Sequence, residues 1–241
     1  MRRVNLVTLL VFVALIVNIG SVFSQNVIDK KQSQSMSFAF PVLPKYGKTP
    51  NDLILKGWSV IDSVAGDLNK DNMEDVAMVL EYQDSIKINK EYDYPRILLI
   101  AFKNGDHFES KLQHNTLIER KNFIDDDHLY EYDPFASMSI LKGVLHINFS
   151  WDERGVGGSL EYVIRYQSND FYLIGATMES GYRADTKTSE FNFSTRKYVY
   201  HEIDDETGFG GKYHEYNKKG NLPANALKKL TEVDASYLDR F

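Results

Sequence analysis

The stretch Arg96-Ile97-Leu98-Leu99-Ile100-Ala101-Phe102-Lys103-Asn104-Gly105-Asp106-His107-Phe108 decides the fold class. Ile97 to Phe102 is an apolar run of strand length, with no polar residue to mark a wet face. Such a run reads as a central β-strand covered on both sides. Asn104-Gly105-Asp106 is then a turn signal. His107 to His114 follows as the return strand. Upstream, Val60 to Ala65 and Asp75 to Tyr82 have strand composition, with Val76, Met78 and Leu80 spaced to share one face. These four segments form an antiparallel meander over residues 57–115.

The pattern recurs after a polar, acidic linker, Asn115 to Pro134. Phe135 to Leu141 and Val144 to Trp151 flank the tight turn Lys142-Gly143. Ser159 to Gln167 and Phe171 to Met178 flank Ser168-Asn169-Asp170. "FKNGDHF" at residues 102–108 and "YQSNDFY" at residues 166–172 occupy the same place in the two units. The second meander covers residues 135–179, and a final hairpin, 188–204, turns near Thr195-Arg196. Residues 25–56, with Pro41, Pro44 and Pro50, read as an irregular lead-in containing a helical turn near Asn51 to Leu55. A second helical turn is expected at Asn225 to Lys229. The expected fold is therefore all-β and propeller-like, built of repeated four-stranded meanders. The alternative is a two-sheet β-sandwich.

Composition narrows the function classes. The chain has 241 residues, 43% of them hydrophobic, with 15 Tyr, 14 Phe and no Cys. That content excludes a low-complexity disordered chain, a disulfide-stapled module and a Cys-ligated metal site. A formal net charge of -6 speaks against a general nucleic-acid binder. The first residues have the three parts of a secretory leader. Arg2-Arg3 is the basic start, Leu6 to Val17 is apolar apart from Thr8, and Val22 and Ser24 suit cleavage before Gln25. Loss of residues 1–24 moves the net charge to -8. The apolar run is short for a bilayer span of roughly 20 residues, and no cysteine is present for lipid attachment. An exported protein with no membrane span after cleavage, periplasmic or extracellular and not a lipoprotein, is the expectation.

The sharpest motif lies between the first two strands: Gly66-Asp67-Leu68-Asn69-Lys70-Asp71-Asn72-Met73-Glu74-Asp75. Oxygen-bearing side chains at Asp67, Asn69, Asp71 and Asp75, with the Met73 carbonyl, have the alternate spacing of a loop curled around calcium. Met78 at the twelfth position rules out an EF-hand. The loop resembles the calcium loop of FG-GAP and VCBS repeats, the blade elements of integrin-α-type propellers, with Asn72 where glycine is usual. "GWSVIDSVAGDLNKDNMEDVAMVLE", "RILLIAFKN", "DPFASMSI", "RYQSNDFYLIGA" and "FNFSTRKYVY" resemble segments of exported bacterial proteins that carry one such loop. The resemblance implies a propeller-like protein with a structural calcium ion and brings no catalytic residues.

Other chemistry is sparse. The His residues at 107, 114, 128, 146, 201 and 214 form no metal-binding pair along the chain. Asp125-Asp126-Asp127-His128, His201-Glu202 and Asp204-Asp205-Glu206 read as solvated segments. Ser159 lacks the glycine of a nucleophile elbow, and Gly208 to Lys212 lacks the spacing of a phosphate loop. The sequons at Asn148 and Asn192 fall inside expected strands. Trp58, Trp151 and Arg154 are candidates for an interaction surface. These readings point to an exported, non-enzymatic binding protein for a protein or glycan ligand, with structural calcium. The alternatives are a secreted hydrolase acting on carbohydrate or peptide, and a periplasmic neutraliser of a toxin or partner enzyme.

Overall fold

Short apolar runs separated by Asn, Asp and Gly leave hairpins as the cheapest way to pair backbone polar groups. The computed structural model describes residues 38–84, 86–88, 91–124, 130–153, 156–182, 185–205 and 213–240. The chain divides into residues 1–41 and 42–241. Of the first unit residues 38–41 are described, and there the Phe38 and Phe40 rings meet edge to face at 5.0 Å.

The second unit begins with β1 (Tyr46–Gly47), a short 3-10 turn (Pro50–Leu53), β2 (Trp58–Gly66) and β3 (Asp75–Tyr82). The strands β4 (Ile86–Ile88), β5 (Glu91–Tyr94), β6 (Arg96–Asn104), β7 (His107–His114), β8 (Lys121–Ile124) and β9 (Tyr130–Tyr132) follow. Then come β10 (Phe135–Leu141), β11 (Val144–Glu153), β12 (Val156–Gln167), β13 (Asp170–Tyr182), β14 (Asp185–Asn192), β15 (Lys197–Asp205), β16 (Tyr213–Asn221) and β17 (Lys228–Lys229). 3-10 turns at Leu230–Glu232 and Tyr237–Arg240 end the described chain.

These strands make a five-stranded sheet in the order β1-β7-β6-β3-β2 and an eight-stranded sheet running β10 to β16, with β17 on β13. A smaller sheet, β4-β5-β8-β9, is built from two excursions of the chain. The propeller-like expectation is thereby overturned. A blade ends at its fourth strand, but here β14, β15 and β16 extend the second meander within the same sheet. The expected C-terminal hairpin is part of that extension. The two main antiparallel sheets are consistent with a sandwich, and they share one hydrophobic core. The linker of residues 115–134 carries β8 and β9, the lead-in carries β1, and β17 takes the place of the helical turn at 225–229.

Ala77, Val79, Leu98 and Ile100 of the smaller main sheet meet Leu145, Ile147, Tyr162 and Ile164 of the larger in that core. Each of the valine, leucine and isoleucine side chains among them contributes about 1.5–3 kcal/mol by leaving water. β3 and β6 are buried on their second face as well, through Val76, Met78, Leu80, Ile97 and Leu99. β3 thus has two dry faces rather than the single one its spacing suggested.

One buried charge organises the sheet ends. Arg96 is 1% exposed. Its Nε donates to Glu81 at 2.8 Å, and its Nη1 and Nη2 donate to Asp133 at 2.6 and 2.8 Å. Nη1 also donates to the Glu119 carbonyl at 3.2 Å. Burial alone would pull the guanidinium pKa down, but Asp133 and Glu81 hold it above the ordinary value. The fork of donors fixes where the chain enters β10, because Asp133 also accepts the Phe135 N–H.

Candidate functional site

The acidic loop between β2 and β3 is closed by its own amides. The Asp67 carboxylate accepts the N–H groups of Asp71 and Asn72 at 3.0 and 2.9 Å. Asp71 accepts the Met73 N–H at 2.8 Å and the Asn69 side-chain amide at 2.8 Å. Asn69 in turn accepts the Asp71 N–H. Asp75 is fully buried and takes three backbone N–H groups, from Leu68, Asn69 and Lys103. Burial is the largest influence on its carboxyl and pushes the pKa up against those hydrogen bonds. Lys70 and Asn72 both adopt φ of 66°, so Asn72 does take the left-handed conformation that glycine would favour.

The oxygens at 67, 69, 71 and 75 are thus turned toward backbone and side-chain amides of the loop and of β6. Among the described residues no three His, Asp or Glu side chains gather as a metal-holding set. What the geometry of the loop accomplishes is a rigid turn. It sits at the joint of the two main sheets: a Cβ on Gly143 would lie 2.9 Å from the Asp67 carbonyl, and one on Gly66 would lie 2.6 Å from Ile140. A bulge in β2 shifts the register between Val60 and Asp62. Asp62 then accepts the Met138 N–H of β10 at 2.8 Å. The sheets are tied at this edge by a side chain instead of a strand ladder.

The three aromatic and basic candidates separate. Trp58 is 7% exposed and packs on Tyr82 with ring centroids 5.4 Å apart, which removes it from any recognition surface. Trp151 lies across Gly158, where a Cβ would come within 2.4 Å of the ring. Arg154 lies outside the described residues, as do the acidic run 125–128 and the glycine-rich loop 208–212. His201, Glu202, Asp204 and Asp205, expected in solvated segments, belong to β15, and Asp205 is buried.

The large sheet outruns its own core. Strand pairing puts Trp151, Gly158, Ser180, Lys187, Glu202 and Tyr216 in one row, on the face whose inner part holds Phe149, Tyr162, Ala176 and Phe191. Beyond that row Tyr182 pairs with Asp185 across β13 and β14. Tyr182 is 43% and Tyr216 53% exposed. Lys187 pairs with Glu202 at 2.9 Å, and Glu202 also accepts the Tyr200 hydroxyl at 2.7 Å. Lys187 and Tyr200 hold the Glu202 carboxyl below its ordinary pKa, so it is ionised at neutral pH. With Asp185 and Asp204 on the same face, the outlying end is aromatic and acidic.

On the opposite face, His146 Nδ1 lies 2.8 Å from Glu161, and Ser139 is the cross-strand partner of His146. Spacing along the chain gave no sign of this grouping of acid, imidazole and hydroxyl, in which Glu161 reaches His146 from the diagonal position opposite Asn148. Counting register from the Lys142-Gly143 turn would have placed Ser139 opposite His146. A recess of about 210 Å³ beside Lys111, Tyr166 and Phe171 is smaller than the roughly 300–1,000 Å³ of small-molecule sites. No helix among the described residues is long and apolar enough to cross a membrane.

No protein-family model, curated protein or solved structure matches the chain. Together with the two-sheet architecture, this withdraws the assignment to FG-GAP or VCBS repeats.

Proposed function

We propose that the chain is an exported, non-enzymatic binding protein that captures a basic protein partner and so neutralises it. The leader-like residues 1–24 support export to the periplasm or exterior. The observation that carries the binding reading is the outlying end of the large sheet, where Tyr182 and Tyr216 stand half-exposed among Asp185, Glu202 and Asp204. Tyrosine gives large contact area at low entropic cost, and a surrounding ring of acids selects for Lys and Arg. A pull-down from cell envelope with the chain as bait tests it. Capture should weaken with salt, and Tyr216→Ala and Asp204→Lys should each abolish it. Equal capture by the bait and both variants would refute the reading.

Hydrolysis of carbohydrate or peptide is a second reading, favoured by one observation: the Glu161–His146 pair with Ser139 across the ladder. A carboxylate that orients an imidazole beside a hydroxyl is the arrangement of an activated nucleophile. A screen of peptide, ester and glycoside substrates decides it. Turnover lost in His146→Ala would establish hydrolysis, and turnover equal in that variant would dismiss it.

A further inference from the structure

β16 is the last strand in the path of the large sheet. Its nine residues are exposed apart from the half-buried Gly220. One edge pairs with β15; no described strand pairs with the other, which presents a row of N–H and C=O groups, the template on which another strand adds. Along Tyr213-His214-Glu215-Tyr216-Asn217-Lys218-Lys219-Gly220-Asn221 the acid lies on one side of the midpoint and the lysines on the other.

We infer that this edge is a dimer interface, and that its occupant is β16 of a second copy, paired antiparallel about a two-fold axis through Asn217. Two identical antiparallel strands can bond only where outward-facing residues oppose each other. Outward groups recur at every second residue, so the axis must pass through a residue. Centring on Asn217 pairs the full length of the strand. It sets Glu215 opposite Lys219 on one face, twice, and Tyr216 opposite Lys218 on the other, twice. Opposite charges directly across a ladder attract, and a lysine over a tyrosine ring adds a cation–π contact. Centring on 216 or 218 shortens the ladder and leaves Glu215 facing Asn217 or Asn221. Lysines alone would guard an edge against pairing; a glutamate at the symmetric position makes the same edge self-complementary. The pairing uses the edge of the sheet, and on the face of Tyr182, Asp185 and Asp204 it sets Lys218 of the second copy beside Tyr216.

Sedimentation velocity of the purified chain over a concentration series is the test. A reversible dimer that weakens with salt is expected. Glu215→Lys or Lys219→Glu should each weaken it by about tenfold or more, because like charges then meet at two symmetric pairs. The double variant should restore it. Both positions are solvent-exposed, and unchanged melting confirms intact folding. Asn217→Cys gives a direct readout, since the chain has no cysteine of its own. Residues opposite one another in a ladder lie about 4.5–5.5 Å apart between Cα atoms, within disulfide reach. Air oxidation should therefore link Asn217→Cys into a dimer faster than Val156→Cys, which is exposed elsewhere. A monomer at every concentration, no recovery in the double variant, or equal oxidation of the two cysteine variants would overturn the inference.

Discussion

Replacing Arg96 by Met is the most informative perturbation of this fold. The methionine keeps the length of the aliphatic stem and removes the charge and all donors. Arg96 is 1% exposed, while its partners Glu81 and Asp133 are 17% and 32% exposed in their side chains. Breaking a buried ion pair by removing one member costs about 3–5 kcal/mol when the other stays dry. Here both partners can recover some water, which lowers the cost. The Glu119 carbonyl also loses a donor, at about 1 kcal/mol. The expected loss is about 3 kcal/mol. For a domain of this size that is roughly 6–12 °C of melting temperature. Thermal unfolding by circular dichroism, with a urea titration for the free energy, measures it. Arg96→Lys should be nearly as damaging, because an ammonium cannot bridge two carboxylates bidentately. A loss under about 1 kcal/mol for Met, or full rescue by Lys, would refute the account of this residue as the tie between β3, β6 and the entry to β10.

Three further predictions concern single side chains. His114 is buried, donates from Nε2 to the Leu230 carbonyl at 2.8 Å and accepts the Leu117 N–H on Nδ1 at 3.1 Å. Burial lowers its pKa, partly offset by Leu230, Val233 and Asp234. The unfolded chain therefore binds the proton more readily, and stability should fall as pH drops below about 6.5; His114→Gln should flatten that slope in pH-dependent urea titrations, and an unchanged slope would count against it. Asp75→Ala strands three backbone donors and should cost about 3–5 kcal/mol, read as an earlier urea midpoint, whereas a loss near zero would show that water replaces the carboxylate. The self-closed loop should melt at the same temperature in millimolar calcium and in chelator, and Asp71→Ala should cost about 1 kcal/mol in both; a rise of several degrees with calcium would return a cation to residues 67–75.

Much of the local structure was legible because it is decided locally. Gly105, Gly143 and Asn169 mark turns since glycine and asparagine accept the positive φ found there. β16 escaped detection because a strand exposed on both faces has no apolar alternation to read. The calcium reading rests on the spacing of oxygens, and spacing alone does not state which amides of the chain those oxygens accept from. The pairing of His146 with Glu161 was hidden by their separation of fifteen positions in the chain.

The sequence by itself determined the β-strands, their turns and the acidic balance, since these rest on side-chain alternation, backbone preference and charge. Only the tertiary structure decided that seven consecutive strands join one sheet, that a buried guanidinium on β6 ties β3 to the entry of β10, and that tyrosines and acids meet at the outlying end of the large sheet. Hairpins of the same local pattern can close as blades or continue as a sheet. The choice depends on which edges find partners, and that is a property of the whole chain.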